Sequence, residues 1–327
     1  MNMSESQIIE KLRSAADHAS LASGRVRLGM GDDAALFAPR SGYQTILTCD
    51  WFLERTHFVR RINPADAVGW KCLARAVSDI AAMGGEPKCF LLSLALPQTH
   101  TGRWLGEFLA GLRRAARKFQ CPLAGGDTTR RREVLVNVMV VGEVRTGQAV
   151  LRSGATPGEV LFVSGSLGEA DWGLKLLRGG KRRLRNDPAV KKHLYPEPRI
   201  ALGRWLSSRK LATAMMDLSD GLSSDLPRLC AASKAGARIE AAKLPTLRLT
   251  RTPTERFDPM ALALNGGDDY ELLFTVRPSR VRLIPTYFQR IPLTRIGVIT
   301  PGRKLKLVRP DGREEELVSR GWDPFWS

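Results

Sequence analysis

The sequence predicts a two-domain α/β or α+β protein, and three observations support this fold class. Segments with strand and helix patterns alternate in both halves of the chain. At 327 residues, the chain is long for a single hydrophobic core. The turn-forming sequence Thr156-Pro157-Gly158 separates the first series of elements from the second. We therefore expect an N-terminal domain over residues 1–148 and a C-terminal domain over residues 149–327.

The N-terminal half contains signals for three helices. A capping box at Ser4–Gln7 begins the first helix. Asn63-Pro64 begins the second helix, which ends at Gly84-Gly85 and places Asp79 on or beside its apolar stripe. A carboxylate in that position requires a compensating cation. The third helix covers residues 104–119, strands are expected over 44–48, 90–96 and 134–144, and a short strand leads to residues 125–127.

The C-terminal half repeats the alternation of strands and helices. Strands are expected over residues 160–163, 214–218, 271–276 and 295–299. Helices are expected over 169–177 and 200–207, and from Leu222 toward Ala235. The basic, proline-bearing residues 181–198 are interpreted as a surface loop, and Asp311-Gly312 as a hairpin turn.

Composition restricts the class of protein. The net charge of +18 is compatible with nucleic acid, a membrane surface or small anionic substrates, and equally with a solvated basic surface. Five scattered cysteines without CxxC spacing indicate reduced thiols. Residues 1–10 lack the pattern of a signal peptide, and no apolar run approaches the ~20 residues of a membrane span. We expect a cytoplasmic protein without a membrane partner.

Acidic residues occur in glycine-bounded stretches that we expect at the ends of strands. Aspartates with glycine and hydroxyl groups, but without His or Cys, form the oxygen-only ligand set of Mg²⁺, which usually carries phosphates. Asp217, Ser219 and Asp220 would also suit the cap of the helix that follows, but the other acidic stretches favour metal binding. The stretches are Gly31-Asp32-Asp33, Gly125–Arg130, Asp217–Gly221 and Gly266–Glu271, with Asp50 and Asp79 between them.

Two other phosphate-binding patterns are excluded. Gly29–Ala34 matches G-x-G-x-x-A, but two aspartates would repel a dinucleotide pyrophosphate, and no clear strand precedes the motif. The P-loop pattern G-x-x-x-x-G-K-[ST] does not occur.

Taken alone, His57 would be interpreted as a surface or satisfied polar residue, and Trp322 as a packing aromatic.

Six stretches occur in the order 31–35, 48–50, 78–84, 125–130, 217–222 and 267–272. Together they resemble the stretches of the thiamine-monophosphate kinases, a family of the aminoimidazole-ribonucleotide-synthetase-like superfamily. The resemblance extends from about Leu28 to Trp322. It implies a two-domain kinase that uses ATP to phosphorylate thiamine monophosphate, with several Mg²⁺ ions. It also implies a homodimer formed by the ATP- and Mg²⁺-binding N-terminal domains, and a C-terminal domain that completes the active site.

The resemblance also implies functional residues. Cys49 replaces a common Thr, so that only its carbonyl would bind Mg²⁺ well, and Asp268 replaces a common Glu, which shortens its reach. By position, the metal ligands are Asp33, Thr48, Asp50, Asp79, Asp127, Asp217 and Asp220; the nucleotide-binding residues are Gly126, Asp127, Arg152 and Ser219; and the substrate-binding residues are His57, Asp268 and Trp322.

No general base is expected, because the acceptor phosphate, with a second pKa of about 6, is largely ionised at neutral pH.

There are two alternatives to a kinase. The first is another enzyme of the same superfamily. Selenophosphate synthetase would require a reactive cysteine before Cys49, and the hydrogenase-maturation dehydratase would require one at the end of the chain. Neither cysteine is present. A nucleic-acid-binding protein would explain the positive charge but none of the acidic stretches, so we expect no nucleic-acid partner.

Overall fold

The computed structural model describes residues 3–15, 25–30, 34–179, 186–247 and 258–325. The chain folds into two compact units, Met1–Ala81 with Gly85–Gly147 and Ala82–Gly84 with Gln148–Ser327. Both units mix helices with strands, which confirms the predicted fold class. Asp33 and the basic run 181–185 lie outside the described residues.

The N-terminal unit contains a four-stranded sheet in the order β3-β6-β4-β5. Only β4 and β5 run parallel; the other pairs are antiparallel, and β1 and β2 form a separate antiparallel pair. The elements are α1 (Glu5–Ala15), β1 (Val26–Leu28), β2 (Leu36–Phe37), β3 (Tyr43–Leu53), α2 (Ala65–Ala82), β4 (Glu86–Leu96), α3 (Arg103–Phe119), β5 (Leu123–Arg130) and β6 (Leu135–Arg145).

One face of this sheet is covered by helix α2. Val136, Val138 and Val140 of β6 are fully buried on that face. A Cβ at Gly142, on the same face, would lie 2.7 Å from Ile80 Cγ2 of α2, so the glycine allows the helix to approach the sheet. We call this the helix-covered face. Residues that alternate with these along each strand lie on the opposite face.

The C-terminal unit contains an eight-stranded sheet in the order β14-β13-β9-β12-β7-β10-β8, with β11 paired to β12. Its elements are β7 (Val160–Ser164), α4 (Glu169–Arg178), α5 (Pro188–Leu194), α6 (Ile200–Ser208), β8 (Ala212–Leu218), α7 (Leu222–Ala232), β9 (Gly236–Glu240), α8 (Pro259–Asn265), β10 (Glu271–Val276), β11 (Tyr287–Phe288), β12 (Ile291–Thr300), β13 (Leu305–Val308) and β14 (Glu314–Glu316).

Two hydrophobic clusters cover the two faces of the larger sheet. One contains Leu226 and Leu229 of α7 together with Met216 of β8. The other contains Leu206 of α6 together with Met215 of β8. Because adjacent strand residues point to opposite faces, the neighbouring methionines enter different clusters. Every residue of β7 and β10 is buried, so the residues at their ends are held by a rigid core.

Two expectations about elements were wrong. The predicted loop 181–198 contains α5, whose Asp187 side chain caps the N–H of Ala189 over 2.9 Å with Pro188 in the first turn. Asp127 lies inside β5 rather than in a turn, and β3 continues to Leu53, beyond Asp50, where the strand was expected to end. The predicted hairpin at residues 311–312 is confirmed, since β13 pairs with β14 around it. Among the described helices, none has both the length and the apolar character of a membrane span.

Candidate functional site

In the N-terminal unit, the structure brings Thr48, Asp50 and Asp79 to one edge of the sheet. Thr48 and Asp50 pair with Val140 and Val138, so both lie on the helix-covered face. Helix α2 passes over this face, and the Thr48 hydroxyl donates a hydrogen bond to Asp79 Oδ2. Both aspartates are partly exposed, so a cation can reach their carboxylates from solvent.

Asp127 lies elsewhere in the same unit, on the other edge strand. The sheet aligns Asp50 with Val138, Leu92 and Gly126, so three strand spacings, roughly 14 Å, separate β3 from β5. Asp127 also points to the opposite face, because its partner Ser93 pairs with Asn137 rather than with Val138. Within one N-terminal unit, Asp50 and Asp127 therefore do not bind the same ion.

Gly126 has a conformation that only glycine adopts readily. Its φ is +155°, and a Cβ would lie 1.9 Å from the Leu92 carbonyl oxygen. The Leu92 backbone fills the place where a side chain would begin, so glycine is needed for the close approach of β5 to β4. Gly126 is nevertheless exposed, so a ligand such as a nucleotide phosphate can reach its main chain from solvent.

Cys49 and His57 are the remaining residues of the N-terminal unit that the sequence analysis singled out. The Cys49 thiol lies on the face opposite to Asp50, 3.3 Å from Asn137 Oδ1, so only its carbonyl is suited to a metal on the helix-covered face. His57 lies in the turn after β3, where its Nδ1 accepts the N–H of Leu53 over 3.0 Å. The neutral ring therefore carries its proton on Nε2, which acts as a donor.

In the C-terminal unit, the turn after β8 is shaped by Asp225 of α7. Oδ2 of Asp225 accepts the N–H groups of Ser219 and Asp220 over 3.1 and 3.0 Å. Arg228 donates to both carboxylates, Asp220 and Asp225. Burial, together with the neighbouring Asp220 carboxylate, raises the pKa of Asp225 to about 7. Asp217, at the end of β8, is 5% exposed.

The loop that contains Asp268 is hydrogen-bonded to this turn. The N–H of Asp268 donates to the Ser219 carbonyl, and the N–H of Tyr270 donates to the Leu218 carbonyl, both over 2.8 Å. Asp268 has a φ of +67°, which is uncommon for a residue with a side chain. Its Oδ1 accepts the hydroxyl of the buried Tyr270 over 2.7 Å, and its Oδ2 lies 3.8 Å from His193 Nδ1.

Trp322 is brought to the same turn from a third part of the chain. Its N–H donates to the Asp220 carbonyl over 2.9 Å, and its side chain is 38% exposed. Arg152 is exposed in a loop beside the edge strand β8, where the N–H of Met215 donates to the Leu151 carbonyl over 3.0 Å. The C-terminal unit therefore gathers Asp217, Ser219, Asp220, Asp268 and Trp322 from three distant segments.

A buried ion cluster supports this loop from the side of the core. Glu271 begins β10, one residue after Tyr270, and its side chain is fully buried. Its carboxylate accepts hydrogen bonds from Ser164, Lys192 and Arg199. Burial alone would raise the pKa of Glu271, but Lys192 and Arg199 lower it to about 2. Glu271 is therefore a structural anion that fixes the start of β10.

Some residues at the site were not predicted from the sequence. Asp225 and Tyr270 have only their spacing from the acidic stretches as a signal, and their side chains act through contacts that spacing does not reveal.

The run Arg130-Arg131-Arg132 is visible in the sequence. In the structure it lines a cleft of about 960 Å³ in the N-terminal unit, together with Gln98 and Glu133, among others. This positive cleft is suited to an anionic group.

The chemistry of the donor groups fits Mg²⁺, although the described residues contain no cluster of three His, Cys, Asp or Glu side chains that would hold a metal by itself. Mg²⁺ is usually bound by one or two carboxylates together with substrate phosphates and water. Thr48 with Asp79, and Asp217 with Asp220, are such incomplete sets of oxygen ligands. The predicted ligand Asp33 lies outside the described residues.

Comparison with known proteins identifies the family. Residues 31–144 match the AIR synthase related protein, N-terminal domain, and residues 156–309 match the corresponding C-terminal domain. The thiamine-monophosphate kinase of Bacillus subtilis (strain 168) is 35% identical over 310 residues, covering 92% of this chain and 94% of that protein. This chain belongs to the thiamine-monophosphate kinase family.

Solved structures of thiamine-monophosphate kinases share the fold of the whole chain. The enzyme of Stenotrophomonas maltophilia K279a matches with a TM-score of 0.82 and 35% identity, covering 96% of this chain and 98% of that one. The structure of AaThiL complexed with AMPPCP and TMP matches with a TM-score of 0.75 and 30% identity, covering 95% and 97% of the two chains. The predicted family and its two-domain fold are thereby confirmed.

Proposed function

We propose that this protein transfers the γ-phosphoryl group of ATP to thiamine monophosphate, forming thiamine diphosphate and ADP. Membership of the kinase family supports the reaction, and the relative complexed with AMPPCP and TMP supports both substrates. The structural observation that carries the proposal is the convergence of Asp217–Asp220, Asp268 and Trp322 within the C-terminal unit. It combines carboxylates for cations with an aromatic side chain for an organic acceptor.

The proposed roles follow the chemistry of each group. Bound Mg²⁺ would neutralise the two anionic substrates and align them for in-line transfer. Its ligands would be Thr48, Asp50, Asp79, Asp127, Asp217 and Asp220, with Asp33 as a further candidate. For the nucleotide, Gly126 offers exposed main chain next to Asp127 in the N-terminal unit, and the C-terminal unit offers the exposed cation of Arg152 and the hydroxyl of Ser219. Trp322 suits the cationic thiazolium, and the Asp268 carboxylate the pyrimidine or the same cation.

We assign no general base to the protein. The acceptor phosphate is already largely ionised at neutral pH, so removal of a proton contributes little. His57 is further disfavoured as a base because its Nδ1 accepts the N–H of Leu53. Its Nε2–H would instead donate a hydrogen bond to the acceptor.

A homodimer formed through the N-terminal sheet is part of the proposal. On edge strand β3, Leu47 is 63% exposed and Trp51 55% exposed, and both lie on the face opposite to α2. Large apolar side chains on one sheet face are typical of an interface. A second copy would also bring its own β3 and β5 edges, which matters because Asp50 and Asp127 cannot share an ion within one N-terminal unit.

The two domains would supply different parts of the active site. The N-terminal domain, residues 1–148, would supply the dimer contact, the Asp50 set and the nucleotide-binding backbone at Gly126. The C-terminal domain, residues 149–327, would supply the acceptor-binding residues Asp268 and Trp322, while His57 would reach the acceptor from the N-terminal domain. The described cysteines are all free, which supports a location in the reducing cytoplasm. We assign no nucleic-acid ligand to the basic surface.

Product analysis tests the reaction directly. The protein is incubated with ATP, Mg²⁺ and thiamine monophosphate, and the products are separated by chromatography. Thiamine diphosphate and ADP should appear in equal amounts, and unphosphorylated thiamine should not be converted. ATP hydrolysis without transfer, or phosphorylation of thiamine itself, would refute the proposal. The Asp127→Asn variant serves as a folded control that should lack activity.

A further inference from the structure

The segment Ser319–Trp322 is held against the first turn of α7 by two serine side chains. The N–H of Arg320 donates to Ser223 Oγ, and the N–H of Gly321 donates to Ser224 Oγ, both over 3.1 Å. These contacts join residues 97 positions apart in the chain. We call Ser319–Trp322 the strap, because it crosses the turn that contains Asp220.

Close packing holds the strap in addition to these hydrogen bonds. A Cβ at Gly321 would lie 2.0 Å from the Asp220 carbonyl oxygen, so no larger residue fits without displacement of the backbone. The same carbonyl accepts the N–H of Trp322 over 2.9 Å. Just before the strap, Leu317 is buried in the core that α7 covers. The backbone of Trp322 is thus fixed relative to Asp220.

The two serines do not perform the usual role of hydroxyls at the start of a helix. The N-cap of α7 is Gly221, which has no side chain for capping. Ser223 is fully buried, and its hydroxyl donates to Asn265 Oδ1 over 2.8 Å while accepting from the strap. Ser224 is 8% exposed, and its hydroxyl lies 2.8 Å from that of Ser319. Both hydroxyls are therefore directed at the strap rather than at α7.

We propose that Ser223 and Ser224 are positioning residues for acceptor binding, because they hold the strap so that Trp322 lies beside the Asp217–Asp220 turn. This inference rests on the proposed function, in which Trp322 contacts thiamine monophosphate. Neither serine contacts the acceptor directly. Their hydroxyls determine the fraction of molecules in which the strap holds Trp322 in the position that binds the acceptor.

Kinetics and hydrogen exchange of the full-length enzyme test the inference together. Ser224→Ala removes one partner of the strap, and loss of one hydrogen bond of ordinary strength should raise the KM for thiamine monophosphate about fivefold. The KM for ATP should stay within about twofold, since the effect is confined to acceptor binding. The double variant Ser223→Ala/Ser224→Ala should show a larger rise. Ser224→Thr, which retains the hydroxyl, should restore most of the affinity.

The readout that does not depend on activity is amide exchange of the strap. In Ser224→Ala, the peptide containing Gly321 and Trp322 should exchange several-fold faster, while peptides of β10 should be unchanged. Ser208→Ala is the matched control, because this exposed serine of α6 donates to its own helix, at the Trp205 carbonyl. It should change neither the strap exchange nor either KM.

Trp322→Ala separates failure of this inference from failure of the proposed function. If Trp322→Ala leaves the KM for thiamine monophosphate unchanged, the role of Trp322 is wrong and the inference is overturned with it. If Trp322→Ala raises that KM but the serine variants do not, only the role of the serines is overturned. Unchanged strap exchange in both serine variants, or equal rises in both KM values, would also overturn it.

Discussion

Replacement of Glu271 by glutamine should destabilise the C-terminal unit in a pH-dependent manner. Glu271 is fully buried, and Ser164, Lys192 and Arg199 all donate hydrogen bonds to its carboxylate. The variant Glu271→Gln keeps the volume of the side chain but removes its charge. Lys192 and Arg199 then lose the anion that compensates their burial, while the backbone at the start of β10 is unaltered.

The magnitude follows from the pKa of Glu271. Its ordinary value is 4.5, and in the folded protein Lys192 and Arg199 overcome the opposing effect of burial and lower it to about 2. At 1.36 kcal/mol per pH unit, the ionised carboxylate contributes roughly 3 kcal/mol to the free energy of unfolding. Because the folded pKa is lowered, this stability is fully present above about pH 4.5 and is lost as the pH falls toward 2.

The assay is urea unfolding at several pH values between 7 and 3, with the transition of the C-terminal unit followed by pulsed hydrogen exchange of β10 peptides. At pH 7, Glu271→Gln should lower the free energy of unfolding by about 3–5 kcal/mol, as expected when one member of a buried ion cluster is removed. Toward pH 3 the difference from the wild type should shrink, because below about pH 4.5 the unfolded chain gains stability by protonation of Glu271 while the folded wild type still holds it ionised.

Glu314→Gln is the matched control. Hydrogen bonds from Arg238 and Lys306 also lower the pKa of Glu314 to about 2, but this carboxylate lies at the surface. Water and salt screen such a pair, so the control should change stability little at any pH. If both variants destabilise the protein equally, or if Glu271→Gln retains the wild-type pH dependence below pH 4.5, the reasoning from burial is refuted.

Three further predictions concern activity and assembly. Asp50→Asn should lower turnover by several orders of magnitude with an unchanged circular dichroism spectrum, and chelation of divalent cations should abolish activity; full activity after chelation would contradict a role for Mg²⁺. His57→Asn should raise the KM for thiamine monophosphate yet retain an acidic limb of kcat/KM near ~6, set by the substrate phosphate; loss of that limb would make His57 the base. Light scattering should give a dimer mass for the wild type and a monomer mass for Trp51→Lys, and a wild-type monomer at micromolar concentration would exclude the dimer.

The family, the fold class and the elements with strong local signals were all predictable from the amino-acid sequence. Helix α2 begins after Asn63-Pro64 and ends before Gly84-Gly85, as the capping and stop signals indicate. Asp79 lies on that helix and contacts Thr48, in keeping with its place beside the apolar stripe. Local signals also failed where they were weaker, since the Asp187-Pro188 start of α5 lies within a basic segment that resembles a surface loop.

Which functional residues lie together could not be predicted from the sequence and depends on the tertiary contacts. Asp50 and Asp127 were both predicted as metal ligands, yet strand order and register place them on opposite edges and opposite faces of one sheet. Asp220, Asp268 and Trp322 are far apart in the chain, yet backbone hydrogen bonds bring them to one turn. Register and docking arise from contacts between distant segments, whose free energies depend on the whole core, so local sequence patterns do not encode them.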